Sequence, residues 1–380
     1  MIDDVSVVGA ATLTAERHPG PETTTHALLA RAFRAALTNA GIDVREVDGL
    51  GVASFSIAPD RAVDLAWKLG LRLRWTMDDV VGLNLVQHAA HAIRAGDAST
   101  VVIVAGDRLV GGDFADLAMN LNRTSRDYLG ALPTGGPNAL FALVTQAHMA
   151  AFGLRREDYG RVAVAQRAWA QLNPDAAYRN PLTMDDYLTA PAVADPLCLY
   201  DCVPLVAGAE AVVLTRSSTR RGHGVPVRLR SVATLVNHDH QEGTGLTTGV
   251  GELVASLQEE SGMAPSEVDV VGVYDDYPVM VLVGLADLGL IVDGDASGRL
   301  TGPGHDVRPA INTSGGMLSA GQAGAGGSLH GFVECVRQLR GERGEGQVPG
   351  ARAAVACTST LALYRYGGCA AAAVLERAGT

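Results

Sequence analysis

The sequence predicts an α/β fold in which a mainly parallel sheet is covered by helices, and three observations carry that expectation. Short apolar, β-branched runs alternate with segments of helical periodicity. The alternation breaks off once, between Gly111 and about Tyr200, and then resumes. A charged stretch, Arg216–His223, flanked by Gly224, separates two halves of similar grammar, 1–220 and 221–380.

In the first half, Val5–Ala11, Gly49–Phe55 and Ser99–Ala105 read as strands, and Thr24–Ala40 and Leu83–Ala95 as helices. The interruption, about 111–200, carries helices near Asn138–Phe152 and Arg156–Leu172 and then the extended NPDAAYRNPLTMDDYL, so it reads as an insertion on that half. Strand Glu210–Thr215 closes it. The second half resumes with strand Val227–Leu235, helix Gly251–Glu259, strand Val268–Tyr274 and helix Val279–Leu288. A glycine-rich loop, a helix over Gly327–Arg340, and strands Ala351–Ala356 and Cys369–Leu375 complete it. In the last helix Leu329, Phe332, Val333, Val336 and Leu339 fall at helical spacing.

With 380 residues the chain can bury an extensive core, as two domains or one large α/β unit. A hydrophobic content of 47% with 19% charged residues marks a soluble globular protein. The net charge of -11 and the lack of a basic, aromatic-interleaved patch argue against nucleic acid and for a small-molecule partner. MIDDVSVVGAATLT lacks the basic start and long apolar core of a signal peptide, and no apolar run reaches membrane-spanning length, so a cytoplasmic protein is expected. The five cysteines show no paired CxxC spacing, which disfavours a disulfide framework and a zinc site alike.

The loop Asn312–Gly327, NTSGGMLSAGQAGAGG, is the most informative segment. Its glycines, Gly315, Gly316 and Gly321 among them, permit positive φ and close approach of another molecule, which makes them candidate substrate-binding positions. The loop runs into a helix N-terminus, whose unpaired N–H groups and partial positive charge suit an anion or a polarised carbonyl. Gln322 is its longest polar side chain. A surface turn without chemistry is the competing account.

Three segments in this order, LNPDAAYRNPLTMDDYLTAPAVADPLCLYDCVPLVAGAEAVVLT, YDDYPVMVLVGLADLGL and INTSGGMLSAGQAGAGGSLHGFVECVRQLRG, resemble the thiolase superfamily, most closely its sterol-carrier and lipid-transfer-protein branch. The resemblance runs over almost the whole chain. It implies a thiolase fold, five-layered αβαβα, built from two similar halves with active-site loops meeting between them, a homodimer, and acyl-CoA thioesters as substrates with no further cofactor.

The resemblance also assigns positions. The acyl-accepting cysteine of a working thiolase falls at Asp79, before the helix GLNLVQHAAHAIRAGDA. A carboxylate there can cap the helix or contact substrate, but it does not replace a thiolate nucleophile. Tyr274 occupies the second motif, where aldolase-type relatives carry a tyrosine that serves as acid and base; an interior strand residue with a satisfied hydroxyl is the alternative. Gln322 stands where thiolases have a histidine. Gln cannot take a proton, but its amide N–H can stabilise an oxyanion. Cys357, in Cys357-Thr358-Ser359-Thr360, corresponds roughly to the second catalytic cysteine, or is a buried thiol at a strand end.

Histidines add weaker candidates. Asn84, His88 and His91 share one face of the Leu83–Ala95 helix, and His88 is expected inside, hydrogen-bonded, near the substrate position, with no third ligand to make a metal site. His238-Asp239-His240 is either an Asp-oriented base or a polar surface loop.

Three functions follow. The first is carbon–carbon bond making or breaking in an acyl-CoA without an acyl-enzyme, as in a retro-aldol cleavage, with Tyr274 moving the proton and Gln322 and the loop amides holding the enolate oxygen. The second is acyl transfer or condensation through Cys357. The third is a non-catalytic scaffold. Relatives in this branch often work with a small OB-fold and zinc-ribbon protein, which the resemblance makes a candidate partner.

Overall fold

Strand order repeats within one large sheet. The computed structural model describes residues 4–109, 113, 127, 137–218, 223–239, 243–360 and 368–379. Strands β1 (Val5–Thr12), β2 (Gly49–Ala53), β3 (Trp75–Asp79), β4 (Thr100–Arg108) and β5 (Ala207–Arg216) lie in the order β3-β2-β4-β5-β1. Strands β6 (Val227–Val236), β7 (Val270–Val273), β8 (Ala310–Ile311), β9 (Ala353–Thr360) and β10 (Cys369–Arg377) lie in the order β8-β7-β9-β10-β6. Each strand of the second set takes the place held five strands earlier in the first. The two half-sheets meet through β1 and β6, where Ser6 pairs with Arg228 and Val7 with Val227.

The alternation of side chains along these strands sorts the core into layers. Val101 and Ile103 of β4 and Ala354 and Ala356 of β9 face a central core that also holds two helices, α3 (Gly82–Ala95) and α8 (Gly327–Arg340). Their intervening neighbours face outward. Val102 and Val104 pack under α1 (Thr25–Ala40) and α2 (Arg61–Leu69). Val355 and Cys357 pack under α6 (Val250–Ser261) and α7 (Pro278–Asp287). The result is five layers: helices, half-sheet, paired helices, half-sheet, helices. Leu83, Leu85, Ile93, Leu329, Phe332 and Val336 are wholly buried between the half-sheets, each contributing about 1.5–3 kcal/mol of apolar burial.

Two expectations need correction. The sheet is mixed rather than mainly parallel: β2 is parallel to β3 and β4, and β7 to β8 and β9, whereas β1, β5, β6 and β10 join antiparallel. The cause is the closing strand of each half, which turns back beside its neighbour instead of crossing over a helix. Secondly, β3 and α2 were not foreseen, because WTMDD and RAVDLAWKL are half exposed and carry no run of apolar residues.

Of the insertion on the first half, α4 (Pro137–Phe152) and α5 (Arg156–Ala170) pack against the second half's outer core, while most of residues 110–136 and the boundary near 220 lie outside the described residues. Among the described residues no helix is long and apolar enough to cross a membrane.

Candidate active site

The carboxyl ends of three neighbouring strands converge in the second half, the end of an open α/β sheet at which ligands bind. Ile311 pairs with Val271 and Cys357 with Val273, which sets Thr358 of β9 level with Tyr274 just past β7, and puts Asn312, just past β8, beside Gly272. A small buried cavity under α8 is lined by Tyr274, Asn312, Ser314, His330, Cys357 and Thr358, among others.

Tyr274 and Gln322 are brought together. Gln322 is buried, and its Nε2 donates to the Tyr274 hydroxyl at 3.3 Å. Its backbone is held by Pro204 and Val206, through Gln322 N–H to Pro204 O at 2.8 Å and Val206 N–H to Gln322 O at 3.1 Å. Gln322 Oε1 is buried without a hydrogen-bond partner. Burial, reinforced by Asp276 and Asp275, pushes the Tyr274 phenol well above its ordinary value, against the lowering by Gln322. The resting group is therefore the neutral phenol.

Asp275 and Asp276 are not the solvated helix-start acids their position suggests. Asp275 is 2% exposed and accepts from the Met317 and Leu318 N–H groups at 3.0 and 3.2 Å. Burial raises its pKa to about 7. Burial and the adjoining Asp275 push Asp276 well above the carboxylate range, and its Oδ1 has no partner.

The loop amides are already engaged, so Gly315, Gly316 and Gly321 do not offer the anion cradle that glycine content suggests. Gly315 N–H goes to Asn312 O, Gly316 N–H to Ser314 Oγ and Gly321 N–H to Met317 O. These glycines answer to packing. A Cβ on Gly316, at φ 58°, would lie 2.0 Å from Asp275 Oδ2, and one on Gly315 would lie 2.5 Å from Ala170 Cβ of α5. The following turn is tied to the first half: Asp107 accepts from Ala325 N–H at 2.9 Å and from Ser54, Phe55 and Ser56.

Of the other predicted residues, Cys357 adjoins Tyr274, whose backbone hydrogen-bonds its thiol, whereas Asp79 and His88 are not brought into contact with the pair. Asp79 ends β3, accepting from Val81 N–H at 2.9 Å and from the Asn84 amide at 3.2 Å; it braces the turn before α3 without being its N-cap, which is Val81. Cys357 does not fit the acid/base role. Its thiol packs in the outer core, on the opposite face of β9 from Thr358, and burial pushes its pKa up to about 12. His88 is exposed on α3 rather than hydrogen-bonded in the interior, because the helix turns that face to solvent. His238 reaches Glu252 at 3.3 Å, and His240 lies outside the described residues.

Four residues escaped the sequence reading. Asn312 takes φ 47°, and its Oδ1 accepts from Val273 N–H at 2.8 Å, leaving Nδ2 buried and unpartnered. Thr358 Oγ1 is likewise buried and unpartnered. Cys369 lies beside the Asp79 slot, 3.4 Å from Asn84 Nδ2, but burial and Asp79 raise its pKa. His330 sits between Glu210 and Ser314. None of the four carried a distinct signal: His330 falls with Glu334 and Gln338 on one polar stripe of its helix, which reads as a solvated face.

Comparisons with known proteins agree with this architecture. The family model described as thiolase C-terminal domain-like matches residues 233–370. The chain is 32% identical to the 17-hydroxy-3-oxo-4-pregnene-20-carboxyl-CoA lyase of Mycobacterium tuberculosis, over 83% of this chain and 86% of that one. It is 30% identical to the steroid side-chain-cleaving aldolase of Thermomonospora curvata, over 83% and 85%. Among solved structures, the Ltp2-ChsH2(DUF35) aldolase superposes with a TM-score of 0.84 at 24% identity, covering 100% of this chain and 99% of that one.

Proposed function

The chain belongs to the thiolase superfamily, in the branch of sterol-carrier-protein thiolases and steroid side-chain aldolases, and from that premise we propose that it is an acyl-CoA carbon–carbon lyase of the retro-aldol type. The observation that carries this is the Tyr274–Gln322 contact in a site whose nucleophile position holds an aspartate.

The chemistry follows from those groups. Because Tyr274 rests as a neutral phenol, it enters cleavage only in its minor, ionised form, which takes the proton of a β-hydroxyl; the Cα–Cβ bond then breaks to leave a ketone and a thioester enolate, and the phenol returns the proton to the α-carbon. In bond formation the neutral phenol donates to the ketone oxygen instead. Gln322 steadies the phenolate through its N–H, and the unpartnered Asn312 Nδ2 and Thr358 Oγ1 would hold the substrate's oxygens. The CoA belongs to the substrate, so the reaction needs no cofactor. Acyl transfer through Cys357 receives no support from a thiol held uncharged in the outer core.

A DUF35-type partner is part of this reading, since one of the solved structures that this chain resembles is the Ltp2-ChsH2(DUF35) aldolase. We place the protein in the cytoplasm and expect it to act as a homodimer. The test is incubation of the purified full chain, with and without such a partner, with an acyl-CoA bearing a tertiary β-hydroxyl, followed by mass spectrometry of the CoA products. Ketone and shortened acyl-CoA are expected, and Tyr274→Phe should lower kcat by ~10²–10⁴-fold. Undiminished cleavage in Tyr274→Phe, or an acyl adduct on Cys357 or Cys369, would refute the mechanism.

A further inference from the structure

One stripe of helix α8 is polar although it faces the interior. His330, Glu334 and Gln338 follow one another at single-turn spacing, all are buried, and all reach the site loop. Thr313 Oγ1 donates to Glu334 Oε1 at 2.6 Å and accepts from Gln338 Nε2 at 3.0 Å. Glu334 is matched by Arg343 at 2.9 Å. His330 has both ring nitrogens engaged: Nε2 lies 2.8 Å from Ser314 Oγ, and Nδ1 lies 2.6 Å from Glu210 Oε1 on β5 of the other half. Thr12 Oγ1 donates to the second oxygen of Glu210 at 2.6 Å.

We propose that His330 is a positioning residue, an imidazolium that bridges Glu210 and Ser314 and thereby clamps the Ser314–Leu318 turn against Asp275, beside Tyr274. The turn is gripped from two sides. Ser314 Oγ accepts from Gly316 N–H at 3.1 Å, while the next two N–H groups, of Met317 and Leu318, go to Asp275. A cation at one end and a carboxylate at the other hold three consecutive amides, and Tyr274 immediately precedes that carboxylate. The link between a role in catalysis and this clamp rests on Tyr274 being the proton-transfer group.

The charged groups facing His330 are Glu210, Asp275 and Glu334. Burial opposes the imidazolium, but Glu210 and the other two carboxylates outweigh it and raise the pKa. The clamp in its doubly charged form needs both groups ionised: it weakens as pH falls and Asp275 takes up its proton at about 7, and again as pH rises through the raised value of His330, where the imidazolium is lost.

Histidine-selective ¹⁵N NMR on the full chain tests the charge directly. His330 should titrate with a midpoint above that of free imidazole, both ring nitrogens being protonated below it, and Glu210→Gln should lower that midpoint. Because Asp275 titrates at about 7 beside the same turn, the loop is followed in Asp275→Asn, where labelled Gly315 and Gly316 amides should titrate with the His330 midpoint and Ser314→Ala, which keeps the ion pair but removes the loop contact, should abolish that response. In the cleavage assay His330→Gln should lower kcat about tenfold with KM unchanged, the pattern of a lost transition-state interaction. A midpoint at or below that of free imidazole, or glycine amides indifferent to its titration, would overturn the proposal. If no thioester is cleaved by the wild type while the titrations appear as described, the clamp stands and the assigned reaction falls.

Discussion

Asp275 titrates near neutrality because burial outweighs the two backbone N–H groups that favour its carboxylate. Its pKa is raised from 3.8 to about 7, so between those values the folded chain keeps a proton that the unfolded chain has lost. Stability from this group is thus full below pH 4, falls as pH rises and levels off above about 7, with a slope of at most ~1.4 kcal/mol per pH unit. Asp275→Asn removes the slope. Urea midpoints at pH 5 and 7 should fall more in the wild type than in this variant; equal changes would mean that Asp275 is ionised throughout. The same residue shows what a sequence withholds. Tyr274 and Gln322 were legible through the family motifs, but whether YDDY begins a helix at the surface or under it depends on α5 and the site loop, which come from elsewhere in the chain. His88 was misplaced for a like reason: local periodicity gives a face, not the layer that face meets, whereas for Cys357 the buried thiol given as an alternative is what the structure holds.

At the scale of elements, the strong helical patterns gave their positions away. Helix α8 was read over the same residues that form it, because Leu329, Phe332, Val333, Val336 and Leu339 all bury. Its polar stripe was not read, since a polar residue inside looks like a solvated one until its partner is known. Glycine was misjudged in the same way: the loop glycines read as room for a ligand, and they are room for the protein itself. Gly324 shows this most sharply, with φ 56° and a would-be Cβ only 2.3 Å from Asp107 Oδ2. Gly262 is a useful contrast, with φ 72° and nothing within 4 Å. Alanine at Gly262 should cost only the left-handed backbone, about 1–2 kcal/mol. Alanine at Gly324 should cost that and also displace Asp107 from the Ala325 N–H and the 54–56 turn, so its loss of stability in denaturant unfolding should be clearly the larger. Equal losses would mean that the Asp107 junction yields freely, and that the two halves are not joined firmly there.

For the whole molecule, the repeated strand order implies that each half has the same two kinds of edge. In the combined sheet β1 and β6 cover each other, which leaves β8 and β3 outermost. Strand β8 is only two residues long and buried, and so offers little to a partner. Strand β3 is five residues long and exposes alternate side chains. Beside it, α2 presents Val63 and Trp67, 62% and 80% exposed and one turn apart, an apolar pair of the kind that marks an interaction surface. A β3-to-β3 pairing about a two-fold axis would continue the sheet across two copies and cover that pair, which is the homodimer the family resemblance led us to expect. Thr76→Pro removes a backbone donor from the exposed edge, and Trp67→Glu places a charge in the apolar patch. Sedimentation velocity should show a dimer for the wild type and a shift towards monomer for both variants, with the fold retained by circular dichroism. A wild-type monomer, or a dimer untouched by either substitution, would move the interface away from this edge.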